Sequence, residues 1–323
     1  MQAWILPDVG SNLVLKDIPE PEATAKASCV VPISYSSVNH RDVYIINGLY
    51  PNIILPCTLG SDACGMLSDH PVVINPGIDW GSNESYQSED YNILGMPVSG
   101  TFSEKICVAK NKIYTLPSHL SQEEGAAIPL AGVTAYRSLI VKGKADKNKR
   151  VLVTGIGGGV ALWALKFALA LGCEVWVTSS SEDKIKKAIL LGATGGITSS
   201  EHDWSKTLLK NSGGFDLVVD SIMGKTLPDL VKLCLPGASI CFYGASAGKT
   251  ENFSPHTIFW RQLSILGSTM GSDLDFKNMI HFIEAHQVRP VIDRVYPFSD
   301  LPHALERMKN SQQFGKIILD HSL

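Results

Sequence analysis

The stretch Val151-Leu-Val-Thr-Gly-Ile-Gly-Gly-Gly-Val-Ala161 combines residue types that can hold a phosphate. An apolar β-type run enters a cluster of glycines, Gly155, Gly157, Gly158 and Gly159. A helix-like stretch, Leu162 to Leu171, follows, and then a second β-type run, Cys173 to Ser179. Glycines let the backbone approach a pyrophosphate closely. The start of the helix, around Gly159-Val160, supplies unbonded N–H donors and a partial positive charge. Set between a strand and a helix, the cluster reads as the turn of a nucleotide-binding βαβ unit. The plain alternative is a glycine turn in an α/β domain that binds nothing.

The end of the next strand bears on which nucleotide is held. Sites for NADH place an Asp or Glu there to bind the ribose 2′-hydroxyl. Here the run is Thr178-Ser179-Ser180-Ser181, followed by Glu182, Asp183 and Lys184. Three hydroxyls and a cation suit a 2′-phosphate, so NADPH is expected to be preferred over NADH. Ser181 can equally cap the helix that follows, and the two roles are compatible. Two further strand ends run into small residues: Phe242-Tyr-Gly244-Ala245-Ser246 and Leu266-Gly267-Ser268-Thr-Met-Gly271. In an open parallel sheet a ligand lies at the carboxyl ends of the strands, where these residues fall.

The elements that must position these residues follow from pattern. The first ~120 residues read as β-rich, with short apolar runs at Cys29–Ile33, Val72–Ile74 and Lys105–Val108 between Pro, Gly, Asn and Asp clusters. Asp79–Tyr91 is polar and reads as a surface loop. Ser121 with Glu123 and Glu124 marks a helix start. From residue 151 strands (Val151–Thr154, Glu174–Thr178, Phe215–Asp220, Ser239–Tyr243, Leu263–Leu266) alternate with helical segments such as Glu182–Leu191, which ends at Gly192. That rhythm predicts an α/β fold with a doubly wound parallel sheet. A helix at Asp275–Ala285, a strand at Val291–Val295, a helix at Leu301–Lys309 and a last strand from Lys316 complete the chain.

Composition narrows the function. With 323 residues, 45% hydrophobic and 18% charged, the chain has room for two domains of ordinary globular character. A net charge of -3 and no long basic run argue against nucleic acid or an anionic membrane as a partner. No apolar stretch approaches the roughly 20 residues that span a bilayer, and the N-terminus lacks the pattern of a signal peptide. Seven scattered cysteines, without a C-x-x-C pair, suit buried thiols in the reducing cytoplasm.

Nearly the whole chain resembles the medium-chain dehydrogenase/reductase superfamily, most closely its zinc-independent quinone oxidoreductase branch. The matching residues are Ser37-Val-Asn-His-Arg-Asp42, Asn47-Gly-Leu-Tyr-Pro51, Leu59-Gly-Ser-Asp-Ala-Cys-Gly65, Pro129-Leu-Ala-Gly-Val-Thr-Ala-Tyr136, the glycine loop and Phe314-Gly-Lys-Ile-Ile318. The resemblance implies a Rossmann domain at 130–270 inserted in a β-rich, GroES-like catalytic domain at 1–129 and 271–323. It implies Asn39 and Thr134 near the nicotinamide, with Tyr44 and Tyr50 as further hydrogen-bond donors, and Lys316 as a cofactor residue. It also implies a homodimer, paired through the edge strand Leu263–Leu266.

The departures from the family matter as well. Zinc-dependent relatives bind a catalytic metal at positions that align here with Asn39, Ser61 and Leu130. Leu cannot ligate, and neutral Asn and Ser are poor zinc ligands. The segment that carries four structural cysteines in those relatives reads Ile78-Asp-Trp-Gly-Ser-Asn-Glu-Ser-Tyr86, so no metal is expected. The last loop glycine is Ala161, and Gly65–Asn75 is shorter than usual in the family.

Without a Lewis acid to activate an alcohol, hydride transfer to a small electron-poor acceptor, a quinone or an α,β-unsaturated carbonyl, is the expected reaction. The alternatives are a catalytically weak nucleotide-binding sensor and an alcohol dehydrogenase-like enzyme with unusual ligands. His40 and Asp42 read as parts of a hydrogen-bonded turn rather than a proton relay. No G-x-S-x-G elbow of a serine hydrolase occurs.

Overall fold

The strand–helix rhythm after residue 150 closes into a six-stranded parallel sheet. The computed structural model describes residues 1–23, 28–250 and 254–323. Its strands lie in the order Gly195–Thr198, Glu174–Ser179, Arg150–Val153, Phe215–Asp220, Cys234–Phe242, Ser264–Gly267. Every neighbouring pair is parallel. The order reverses direction between Arg150–Val153 and Phe215–Asp220, and a doubly wound sheet opens its ligand crevice at that switch point. Val151, Leu152, Val153, Leu217, Val218 and Val219 are wholly buried, as expected of strands with helices on both faces. The helix Gly159–Ala170 buries seven residues from Ala161 to Ala168. Glu182–Leu190 is amphipathic and lays only Ile185 and Ala188 inward. It stops before Gly192, whose φ of +113° is open to glycine.

The chain divides into two compact units, Met1–Val133 with Ser272–Leu323, and Thr134–Gly271. The first division falls within the helix Pro129–Tyr136. In the first unit a seven-stranded sheet runs Ile113–Thr115, His70–Ile74, Asp62–Leu67, Ser28–Ser37, Lys316–Asp320, Ile292–Pro297, with Lys105–Ala109 also on Ser28–Ser37. The final strand is antiparallel to Ser28–Ser37 and parallel to Ile292–Pro297, and all five of its residues are buried. A smaller sheet joins Val14–Asp17, Gln2–Leu6 and Cys57–Thr58. The core of this unit gathers Trp4, Leu6, Val38, Phe102, Ile317 and Leu319. Onto it the helix Leu301–Lys309 lays Leu301, Ala304, Leu305 and Met308, one stripe at helical spacing.

Local chemistry explains the boundaries. Ser121 caps the helix Gln122–Ala126 reciprocally with Glu124. Ser272 does the same with Asp275, which starts the helix at Asp273, two residues ahead of the position read from the sequence. Asp273 is also fixed from the sheet side by Lys112 Nζ at 2.5 Å and Asn75 Nδ2 at 2.7 Å. The edge strand is Ser264–Gly267, because Leu263 N–H is still bonded to Ile258 O of the preceding helix. The short segment Gly65–Asn75 is a tight hairpin. Ser68 and Asp69, at φ +49° and +63°, form its two-residue turn, a conformation that matches strand twist. In the polar loop Asp79–Tyr91, Trp80 Nε1 donates to Asn83 O at 3.0 Å and Tyr91 stands edge-on to its ring. Among the described residues no helix is long and apolar enough to cross a membrane.

Candidate functional site

In the second unit the glycine loop leaves the strand Arg150–Val153 and enters the helix Gly159–Ala170. Gly155 and Gly157 take φ of +64° and +114°, which side chains with a β-carbon rarely adopt. A β-carbon at Gly157 would stand 2.6 Å from Lys184 Cδ and 3.4 Å from Nζ, so the Lys184 side chain lies across the loop. One at Gly158 would meet nothing closer than Gly155 O at 3.7 Å. Gly158 is the N-cap and offers no side-chain oxygen, so the first N–H groups of the helix are not capped from there. Gly159 and Val160 form its first turn. Ala161 is almost wholly buried, and the helix runs on through it. Backbone that favours glycine and uncapped N–H groups fit a nucleotide pyrophosphate.

Ser179 and Ser181 stand at the end of the strand Glu174–Ser179. Ser179 Oγ accepts from Ser181 N–H at 3.2 Å, and Ser181 Oγ accepts from Lys184 N–H at 3.4 Å, capping the helix Glu182–Leu190. A hydroxyl that accepts a backbone N–H still has its own hydrogen to donate. Ser180 is exposed, as are Glu182 and Asp183. At the neighbouring strand ends, a β-carbon on Gly244 would come 3.0 Å from Ser221 O; Ala245 is exposed, and Gly267 is exposed too. Ser268 N–H donates to Phe242 O at 2.9 Å, while its Oγ is buried with no partner among the described residues. Thr134, also in this unit, points its hydroxyl at Met270 Sδ, 3.7 Å away.

The sequence reading missed Asp220. Its carboxylate accepts from Thr154 Oγ1, Ile222 N–H and Met223 N–H, and so ties the start of the glycine loop to the turn after Phe215–Asp220. Burial raises its pKa, against the pull of those three donors. The available signal was an acid closing the run Phe-Asp-Leu-Val-Val-Asp220 at a strand end.

In the first unit Asn39 precedes the helix His40–Ile46. Its backbone N–H donates to Asp42 Oδ2 at 2.8 Å, and Asp42 Oδ1 accepts from Gly60 N–H at 3.3 Å. Asp42 is wholly buried, and desolvation lifts its pKa to about 6. It builds the turn, as the residues implied. The Asn39 side chain donates from Nδ2 to Asp62 Oδ2 at 2.8 Å and accepts on Oδ1 from Lys316 Nζ at 2.7 Å. Lys316 was expected among the cofactor residues. Instead it is buried in the first unit, and its other N–H bonds go to Asp62 Oδ2 at 2.9 Å and Val38 O at 3.0 Å. All three hydrogens of an ammonium are thereby committed, which leaves none for a cofactor.

Arg41 organises the surroundings. It donates to Ser61 Oγ at 2.9 Å and to Leu94 O at 2.8 Å, and it sits 5.1 Å from the centre of the Tyr50 ring. Tyr50 therefore rests on a buried cation and packs on the core, whereas Tyr44 is 38% exposed, on the helix His40–Ile46. The structure brings Asn39 together with Lys316 and Asp62. It gathers the glycine loop with Lys184, and Thr134 with Met270.

An open parallel sheet of this strand order with a glycine cradle at its switch point, in one chain with a GroES-like β unit, is the framework of an oxidoreductase. The sequence profiles agree. The family described as "Zinc-binding dehydrogenase" matches residues 159–285, and the "Alcohol dehydrogenase GroES-like domain" matches residues 25–118. The chain is 31% identical to the zinc-type alcohol dehydrogenase-like protein YogA of Leptosphaeria maculans, over 96% of this chain and 93% of that protein. It is 27% identical to the quinone oxidoreductase of Homo sapiens, over 90% and 88%. Among solved structures, an NAD-dependent alcohol dehydrogenase superposes with a TM-score of 0.92 at 31% identity, covering 99% of both chains. The quinone oxidoreductase of Thermus thermophilus, solved also with NADPH, superposes at 0.83 with 25% identity, over 99% of this chain and 100% of that one. This chain belongs to the medium-chain dehydrogenase/reductase superfamily and is an alcohol dehydrogenase-like oxidoreductase.

Proposed function

We propose that this chain is an NADPH-dependent reductase that works without zinc and passes hydride to a quinone or an α,β-unsaturated carbonyl. The observation that carries the reading is the commitment of Asn39 Oδ1 to the Lys316 ammonium. A cation 2.7 Å from the only ligating atom of that side chain leaves no place for a metal ion. The two other positions are equally unsuited. Ser61 Oγ donates to Leu94 O and accepts from Arg41, and the Leu130 side chain has no donor atom. The residues therefore do not fit a catalytic zinc, and alcohol activation by a Lewis acid has no support in them.

NADPH, when bound, supplies the hydride. The glycine loop would hold its pyrophosphate on helix N–H groups. Ser179 and Ser181 would donate to the 2′-phosphate, Lys184 would neutralise it, and Ser268 Oγ would find its missing partner in the cofactor. Asn39 Nδ2 retains one hydrogen beyond the bond to Asp62. That hydrogen would meet the negative oxygen that develops on the acceptor, which water then protonates. Thr134 would orient the nicotinamide.

The test compares NADPH oxidation by a panel of quinones and enones with NADP reduction by primary and secondary alcohols. Turnover on the first set and none on the second is expected. Robust alcohol oxidation without quinone or enone activity would overturn the reading, and silence on every substrate would favour a nucleotide sensor.

A further inference from the structure

We infer that Lys316 is a positioning residue: together with Asp62 it fixes which way the Asn39 side-chain amide faces. This rests on the reading above that Asn39 donates to the acceptor.

The three side chains form a closed, buried arrangement, with Asn39 at 6%, Asp62 at 0% and Lys316 at 2% exposure. Lys316 Nζ stands 2.7 Å from Asn39 Oδ1 and 2.9 Å from Asp62 Oδ2, and Asn39 Nδ2 stands 2.8 Å from the same Asp62 oxygen. That oxygen also accepts from Ser37 Oγ at 2.8 Å, while Asp62 Oδ1 accepts from Leu130 N–H at 2.7 Å. An ammonium only donates and an ionised carboxylate only accepts. Turned by half a rotation, the amide would set its hydrogens against the ammonium and its oxygen against the carboxylate. Two charge-assisted bonds would become two repulsions, in surroundings of low dielectric where both count heavily.

Only one orientation survives, and it gives the second Nδ2 hydrogen a single bearing. The backbone holds each participant. Ser37 and Asp62 are register partners on adjacent strands, Lys316 opens the strand next to Ser37, and the Asn39 N–H is pinned by Asp42. Lys316 has no N–H left with which to touch a substrate, so its effect passes through Asn39.

The test uses the full chain and the double variant Asp62→Asn with Lys316→Met. It removes both charges at once, because Lys316→Met alone would strand a buried carboxylate and threaten the fold. With NADPH and 1,4-benzoquinone, kcat should fall about tenfold as the donor loses its bearing. KM for NADPH should stay within about twofold, since cofactor binding is not involved. In the wild-type ¹H–¹⁵N spectrum, the two Asn39 side-chain protons should be widely split and slow to exchange; in the double variant they should converge and exchange faster. An unchanged kcat in the folded variant would overturn the inference, as would a parallel rise in KM for NADPH. If the variant does not fold, rapidly exchanging, nearly equivalent Asn39 protons in the wild type would overturn it, and split, protected ones would support it. If the wild type reduces neither quinone nor enone, the proposed reaction falls, and the amide spectra alone decide whether Lys316 and Asp62 fix Asn39.

Discussion

The Lys184 side chain crosses Gly157, with its Nζ 3.4 Å from where a β-carbon on that glycine would stand. The backbone N–H of the same lysine is held by Ser181 Oγ, and Ser181 N–H in turn by Ser179 Oγ. One residue therefore joins the glycine loop to the hydroxyl cluster at the next strand end.

Lys184→Ala should separate the two nicotinamide cofactors. A hydrogen bond to a charged group contributes about 1.5–3 kcal/mol, so NADPH should bind about tenfold weaker or worse. NADH has no 2′-phosphate, and its affinity should change little. Fluorescence titration with both cofactors measures this, and equal losses would remove the 2′-phosphate from the Lys184 neighbourhood.

Gly158→Asp isolates the loop from the fold. The added β-carbon has room, and the residue does not hold a positive φ, so circular dichroism should be that of the wild type. The carboxylate would face the pyrophosphate, and titration should show NADPH binding lost. Gly157→Ala should fail differently: φ of +114° and the clash with Lys184 strain the loop itself, lowering the melting temperature as well.

Asn39→Ala should lower turnover with a quinone or enone by about 10²–10³, the usual cost of losing a donor to developing negative charge. Cofactor affinity should hold by comparison. A variant whose loss is all in KM for NADPH would place Asn39 with the nucleotide instead of the acceptor.

His321 should leave a mark on acid stability. Its Nε2 is 2.8 Å from Ser36 Oγ, its ring stacks on Phe298, and its Nδ1 is buried without a partner among the described residues. Burial pushes its pKa down to about 3, below the ordinary value of 6.5. The unfolded chain thus takes up this proton first as pH falls. The stability it contributes is complete above pH 6.5 and is lost progressively toward pH 3. His321→Gln removes that titration, so the gap in melting temperature between wild type and variant should narrow steadily as pH drops through this window. A gap independent of pH would show that His321 stays exposed to protons in the fold.

A homodimer is also proposed. Ser264–Gly267 ends the order of the parallel sheet, with Ile265 and Leu266 half-buried, and an open edge of this kind invites pairing with a second copy. Light scattering at micromolar concentration should give twice the mass of the chain; a single-chain mass would refute the pairing.

Five of the six parallel strands were legible in the sequence because glycines and apolar runs punctuate them locally; the edge strand Gly195–Thr198, two glycines with one large apolar residue, carries no such run and was not read. Leu301–Lys309 was readable residue for residue, since its buried positions recur at helical spacing. The Lys316 assignment failed for a physical reason. Its partners Asn39 and Asp62 lie 277 and 254 residues away in the chain, and nothing local to Phe314-Gly-Lys316 tells where an ammonium will point. The pairing of Thr134 with Met270, across 136 residues, was hidden in the same way. Asp220 was passed over because an acid at the end of an apolar strand looks like a solvated boundary until the turn it ties is seen.

The strand Lys316–Asp320 lies far along the chain from Ser28–Ser37, yet it sits in the interior of the sheet, between that strand and Ile292–Pro297. Until Lys316 has been made, Ser28–Ser37 lacks that neighbour and Asp62 lacks its counter-charge. The segment Thr134–Gly271, by contrast, has every strand of its own sheet once residue 271 has emerged. A nascent chain stalled just before Lys316 would therefore hold every strand of the parallel sheet, while its other unit still lacked the strand that joins Ser28–Ser37 to Ile292–Pro297.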